Sequence, residues 1–225
     1  MNQTVKMVRE IRQELKVVED AILNHPYPQA IEAGSIPRDK LSRFVGEQHR
    51  IIVSDIGSLA LMVSRCTTQR SRDYYSSLLK GEEAAFKALD LLAKALDLTD
   101  EWLEKYSPSP DCQAYTHFLA WLASHGAPAQ LAGAFLVNLP AWGANCGRMA
   151  RGLQDSYGLR STDVEFLTLF STPPEQFEQS SMEVIQEDLE RGVPPREVHL
   201  AARFLQAYEL LFWDCLYKQT SVDNP

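Results

Sequence analysis

Glu209 stands where its helix calls for an apolar side chain. The stripe around it reads Val198, Ala202, Leu205, Glu209, Phe212 and Leu216, with Trp213 alongside. A carboxyl held among such groups is poorly solvated, which raises its pKa and suits it to donate or shuttle a proton. Two readings are open at this point: an interior acid/base, or a partly buried Glu that pairs with Arg203 or reaches solvent. Four further polar residues fall on apolar stripes: Gln48, Asp55, Glu82 and Asn138. Gln48 lies one turn from Val45 and Ile52. It is uncharged and can hydrogen-bond a heterocycle but cannot act as a base, and its other reading is a boundary residue. Asp55 and Glu82 read more readily as solvated helix edges than as inward groups, and Glu83 beside Glu82 is the other candidate for the inward position. Asn138, between Phe135 and Trp142, carries an amide that needs several partners if buried. One structural task for it is to bond the carbonyl freed by Pro140.

Other chemistries find little support. The five histidines (His25, His49, His117, His125 and His199) do not form the paired Glu-x-x-His pattern of di-iron bundles. No metal and no cofactor is expected, although His25 or His49 could each ligate a haem alone. A glycine-rich phosphate loop and a Gly-x-Ser-x-Gly elbow are both absent. Cys66, Cys112, Cys146 and Cys215 are scattered without a Cys-x-x-Cys pair, against a thiolate zinc site or a disulfide scaffold. Cys146 shares a stripe with Trp142 and reads more readily as an inert buried thiol than as a nucleophile.

The elements that position these residues are helices, since a period near 3.6 recurs almost everywhere and alternation nowhere for long. A first helix over Val8–Ile22 stops at His25-Pro26-Tyr27-Pro28, and a short turn near Gln29–Ala33 ends at Gly34. Pro37 opens a long helix carrying Leu41 to Met62, and a third runs from about Arg72 to Leu96. Thr99 and Asp111 read as N-caps. Pro128 opens a segment that Pro140 should kink. Thr162 with Glu165, and Thr172 with Glu175, resemble capping boxes. The last helix covers about Pro195 to Lys218, leaving 219–225 as a frayed tail. Seven or eight helices with short connections and no internal repeat imply one bundle domain over 1–225.

Composition agrees. Of 225 residues, 45% are hydrophobic and 23% charged, which suffices for a core. The net charge of −8 and the lack of a basic patch argue against nucleic-acid binding, which needs phosphate neutralisation. No apolar run approaches the ~18–20 residues that cross a bilayer, and no signal-peptide core precedes the first helix. A cytoplasmic protein with no membrane partner is expected.

The stretch His25-Pro26-Tyr27-Pro28-Gln29-Ala30-Ile31, followed by Gly34, Ile36-Pro37 and Phe44-Val45, resembles the opening of the TenA (thiaminase II) family. Tyr208-Glu209-Leu210-Leu211-Phe212-Trp213 resembles that family's C-terminal Glu-x-x-Phe-Trp signature, and Pro108-Ser109-Pro110 before Tyr115-Thr116 is similar to its middle. The resemblance spans nearly the whole chain. It implies an all-α, haem-oxygenase-like bundle shared with the PqqC and CADD-like groups, and a homo-oligomer, dimer or tetramer. Members of the TenA type hydrolyse thiamin or salvage its aminopyrimidine products without metal. They use a Cys nucleophile, a pocket Glu, an Asp and several Tyr. Glu209 matches the pocket Glu and Tyr115 one of the tyrosines. The Cys position falls on Asn138, the Asp position on Gln48 with its Tyr neighbour on Ile51, and another pocket Tyr on Phe170. A shift in register would put Glu47 in place of that Asp.

An amide cannot attack a pyrimidine carbon and leave as a thiolate does. The expectation is therefore a divergent TenA-like protein that binds a small heterocyclic or aromatic molecule in its core. Glu209 would be the catalytic or anchoring group, with Gln48, Tyr115, Asn138, Trp142 and Phe170 around the ligand. Ordinary thiaminase activity is expected to be lost, with metal-free hydrolysis as the reaction class if the protein is an enzyme. The alternatives are a CADD-like or PqqC-like oxygenase or oxidase, and a non-catalytic binding or regulatory protein.

Overall fold

Among the described residues, proline and short polar caps divide the apolar stripes into eleven α-helical segments and one 3-10 turn. The computed structural model describes residues 3–221, and all its regular structure is helical. The first stripe breaks at Leu15 into α1 (Gln3–Glu14) and α2 (Lys16–Leu23). The helix α3 (Pro26–Glu32) is capped by His25, whose ring nitrogen accepts from Tyr27 N at 3.2 Å. Gly34 follows it in the left-handed region at φ 66°, as a C-terminal cap requires. A 3-10 turn over Arg38–Leu41 leads into α4 (Ser42–Arg65), then α5 (Gln69–Ala95).

Thr99 caps α6 (Asp100–Lys105) through Trp102 N at 3.1 Å, as expected. Ser109 rather than Asp111 precedes α7 (Pro110–His125), since Pro110 takes the first helical position. Then come α8 (Pro128–Tyr157), α9 (Glu165–Ser171), α10 (Phe177–Glu190) and α11 (Pro195–Ser221). Neither expected capping box at Thr162 or Thr172 forms. The chain starts α9 and α10 two and four residues later than these caps would place them, with Val164 and Gln176 at the N-cap positions and no side-chain cap. Residues 219–221, expected to fray, are helical. Gln219 Nε2 donates to Ser109 Oγ at 2.5 Å, which ties the end of α11 to the start of α7. Residues 222–225 lie outside the described part.

The longest helix, α8, packs against α3, α9, α10 and α11, while α4 packs against α5 and α7. Close approach needs missing side chains: a Cβ on Gly143 would stand 2.6 Å from Phe170 O, so this glycine lets α9 lie on α8. Pro140 does not interrupt α8. The carbonyl that its ring deprives of a partner, Leu136 O, accepts from the Arg12 guanidinium at 3.2 Å. Asn138, expected to serve that carbonyl, is engaged elsewhere.

The apolar interior falls into two main clusters. One gathers Tyr27, Phe44, Ile52, Phe166, Phe212 and Trp213; the other gathers Leu59, Tyr75, Leu119, Leu131, Phe135 and Leu205. Their meeting ground is not filled.

Candidate functional site

Between the two clusters lies a cavity of about 320 Å³, walled by side chains of α4, α5, α7, α8, α9 and α11 and by the 172–174 segment. Large apolar groups make most of its surface, including Ile51, Ile52, Leu59, Phe135 and Phe212. Its outer rim includes Ser77, Leu169 and Pro173, all exposed. Inside the exposed rim, where Ser77 and Thr172 lie, polar groups enter at few points: Gln48 and Asp55 from α4, Glu82 from α5, Tyr115 from α7 and Glu209 from α11. No Lys, Arg, His or Cys is among the lining residues.

Glu209 reaches the cavity from the last helix and is only 2% exposed. Arg203, its candidate ion-pair partner, is exposed one and a half turns earlier and makes no bond to it. Both carboxyl oxygens are held by neutral donors instead. Trp213 Nε1 donates to Oε1 at 3.0 Å, and Asn138 Nδ2 donates to Oε2. These bonds favour the charged form, but burial outweighs them and pushes the Glu209 pKa up to about 8. At neutral pH the group is mostly a neutral acid, able to give a proton to a bound base.

Asn138 is 1% exposed and its amide is fully occupied. Its Nδ2 also donates to Gln206 Oε1 at 3.1 Å, and its Oδ1 accepts from Tyr115 Oη at 3.4 Å. It stands behind Glu209 rather than on the cavity wall, which corrects its expected place against the ligand. Tyr115 lines the cavity and links the two ends of the polar network. The Trp142 indole stacks on Trp213 at 5.2 Å and meets Phe170 edge-on at 5.9 Å, and both residues line the cavity.

Asp55 and Glu82 depart from expectation more sharply. Rather than forming solvated edges, they face the same cavity. Asp55 is 5% exposed, and Thr116 Oγ1 donates to its Oδ1 at 2.5 Å. Burial raises its pKa against that bond, and raises that of half-buried Glu82, where the Asp55 charge adds to the effect. Glu83, the other candidate for the inward position, is exposed. Gln48 is 4% exposed on the cavity wall, and its amide makes no hydrogen bond within the described chain. Glu47 does not take its place. It points away from this cavity and accepts from Tyr106 Oη at 3.0 Å, Ser109 N at 2.9 Å and Gln113 Nε2 at 2.6 Å.

The site residues do not fit a resident haem or metal cluster. His25 is engaged through both ring nitrogens, with Tyr27 N and with Asp214 at 3.2 Å, while His49 packs on Phe86 away from the cavity. Among the described residues no three His, Cys, Asp or Glu side chains are placed to share one ion. Cys146 is fully buried, absent from the wall, and its thiol pKa is raised by burial and by Glu209. It is not an activated nucleophile.

Residues 12–219 match the model of the TENA/THI-4/PQQC family. The chain belongs to that family. Solved structures agree on the fold. A TenA homologue from P. horikoshii OT3 is 18% identical, with 95% of this chain and 99% of that one covered at a TM-score of 0.76. A TenA homologue from Pseudomonas syringae pv. tomato DC3000 is 12% identical, covering 93% and 92% at a TM-score of 0.79. A domain of unknown function from Shewanella denitrificans OS217, described as having a heme oxygenase-like fold, is 15% identical and covers 93% and 91% at 0.74. Among curated proteins none matches. The all-α, haem-oxygenase-like architecture expected from sequence is therefore the fold of this chain.

Sequence reading did not see that Trp213 would grip Glu209, or that Gln206 would brace Asn138. The first had a usable signal, because residues four apart on a helix stand one above the other.

Proposed function

We propose that this TenA-family chain binds a small heterocyclic or aromatic molecule in the core cavity, with Glu209 as its acid/base and polar anchor. One observation carries the reading. Glu209, held by two neutral donors, presents a carboxyl of raised pKa to a wall of aromatic and aliphatic groups. Such a carboxyl can protonate a ring nitrogen, and Trp142, Phe170 and Phe212 offer flat apolar contacts to a ring. The reaction class best matched is metal-free hydrolysis related to thiamin or aminopyrimidine salvage. Water would be the nucleophile, because no thiol faces the cavity and an amide stands at the family's Cys position. Ordinary thiaminase turnover through a covalent thioether is not supported by this wall.

The test is a thermal-shift screen of pyrimidines, quinones and tetrapyrroles, followed by turnover assays on thiamin and on any aminopyrimidine that stabilises the protein. Glu209→Gln should abolish turnover. Hydrolysis that survives this substitution would refute the assignment. Binding without turnover in the parent protein would favour the second reading, a non-catalytic binding protein, for which the fully bonded Asn138 speaks. A homo-oligomer is also part of the proposal, supported by exposed Trp121 on α7 and Phe204 on α11, which both pack on half-buried Phe118.

A further inference from the structure

Two cysteines from different helices meet sulfur to sulfur. Cys112 stands in the first turn of α7 and Cys215 near the end of α11, and Cys112 Sγ donates to Cys215 Sγ at 2.7 Å across 103 residues of chain. Both are thiols in this structure. Disulfide sulfurs stand about 2.05 Å apart, so closing this contact takes a shift of roughly 0.7 Å, a movement of side-chain scale. No other pair of cysteines makes such a contact among the described residues.

A second observation gives the pair a way to the surface. Cys215 keeps 6% of its surface exposed, whereas Cys112 keeps none. Gln219, half-buried one turn beyond Cys215, donates through Nε2 to Cys215 Sγ at 3.2 Å and to Ser109 Oγ at 2.5 Å. Gln219 and Ser109 also line a polar surface cleft of about 420 Å³, beside Tyr106 and Ser107. The side-chain oxygen of Gln219 is buried and has no hydrogen-bond partner. Buried acceptors are ordinarily satisfied, so a small hydroxylic molecule entering from the cleft finds an unmet acceptor beside the sulfur. The two thiols differ in readiness. Burial, reinforced by the contact with Cys215, raises the pKa of Cys112 and keeps it protonated, so the oxidant meets Cys215 first and Cys112 second.

We propose that Cys112 and Cys215 are a reversible redox pair, closed to a disulfide by a hydroperoxide and reopened by thiols, which clamps α7 to α11. Cys215 sulfur attacks the peroxide, the O–O bond breaks, and a sulfenic acid and one water form. Cys112 sulfur then displaces the sulfenic hydroxyl. The S–S bond forms, and the hydroxyl leaves with the Cys112 proton as a second water. The two sulfurs together give up the two electrons that the peroxide takes. Trp213, which holds Glu209, lies two residues before Cys215, and Tyr115, which bonds Asn138, lies three residues after Cys112. The clamp therefore joins the two helices that carry the ends of that network, whatever the cavity binds.

The test applies hydrogen peroxide to the folded full-length protein, then blocks the remaining thiols with iodoacetamide in denaturant. Intact mass should show two hydrogens lost and two cysteines left to alkylate. Fragment sequencing of a non-reduced digest should join Cys112 to Cys215 and leave Cys66 and Cys146 alkylated. The oxidised protein should melt roughly 5–15 °C higher, since a bond across so long a loop restricts the unfolded chain. Dithiothreitol should reverse the mass change and the melting shift together. Cys215→Ala should abolish both, and Cys146→Ala should keep both. Should Cys215→Ala fail to fold, the wild-type digest and its reversal by dithiothreitol decide alone. Four alkylated thiols after peroxide, a bond through Cys66 or Cys146 or to another chain, a bond that forms only in denaturant, or Cys215 carried to sulfinic acid without a cross-link would each overturn the pair. A cross-link with no rise in melting temperature would overturn the clamp.

Discussion

Trp213 lies one helical turn beyond Glu209 on α11 and donates its indole N–H to Glu209 Oε1 at 3.0 Å. The same indole stacks on Trp142, which lines the cavity. The acid and the aromatic wall are therefore positioned by one side chain.

Replacing Trp213 by Phe keeps an aromatic ring in the core and removes the donor together with part of the indole's volume. Burial then acts on Glu209 with one compensating hydrogen bond fewer, so its pKa rises further. Carboxyl infrared absorption followed against pH should show the Trp213→Phe midpoint above that of wild type. A lower midpoint would mean that the indole does not stabilise the carboxylate.

Stability should fall as pH rises. Glu209 titrates at about 8 in the folded chain and in the ordinary carboxylate range when unfolded. Between those values the folded state holds the extra proton, so stability is full below the window and is lost as pH rises through it. Asp55 and Glu82, also raised, act in the same direction. Thermal melts from about pH 5 to 9 should show a decline in wild type and a smaller one in Glu209→Gln, with ~2–4 °C for each kcal/mol at this chain length. Equal declines would indicate that Glu209 is not buried as described.

Glu47 offers a control beside the site. It is fully buried and accepts three hydrogen bonds on the far side of α4 from the cavity. Glu47→Ala leaves those donors unsatisfied and should cost about 2–4 kcal/mol in urea unfolding. Ligand affinity at a permissive temperature should not change, whereas Gln48→Ala should weaken binding with little loss of stability.

Two glycines should behave oppositely. A Cβ on Gly57, inside α4, meets nothing within 4 Å, so Gly57→Ala should stabilise by about 0.5–1 kcal/mol. A Cβ on Gly133, inside α8, would fall 2.3 Å from Val198 Cγ1 on α11. Gly133→Ala should therefore destabilise by about 1–3 kcal/mol as α8 and α11 are forced apart. Chemical denaturation of the two variants reads both values.

The legible part of this protein was what repeats along a helix. The stripe around Glu209 put the carboxyl on an apolar face and left packing to decide whether it turned inward, while Pro128, Gly34 and Thr99 marked real helix ends because their effect is local. Whether Asp55 and Glu82 faced solvent or a cavity was not local. Each sits at the margin of its own stripe, and only the packing of α4 beside α5 turns two margins into one polar wall. The same limit hid the partners of Asn138, since Gln206 and Tyr115 come from different helices. Capping boxes misled at Thr162 and Thr172 because the motif allows a helix start without enforcing it.

The bond from Arg12 to Leu136 O makes α1 more than an outer layer. Arg12 also holds Glu178 of α10 at 2.8 Å, so one guanidinium splints α8 beside Pro140 from outside. Asn138 sits between the splinted carbonyl and Pro140, and it is Asn138 that steadies the acid. A partly exposed arginine near the start of the chain thus supports α8 two residues from the amide that holds a buried carboxyl nearly two hundred residues later, and trimming the first helix should loosen that support without touching the cavity wall.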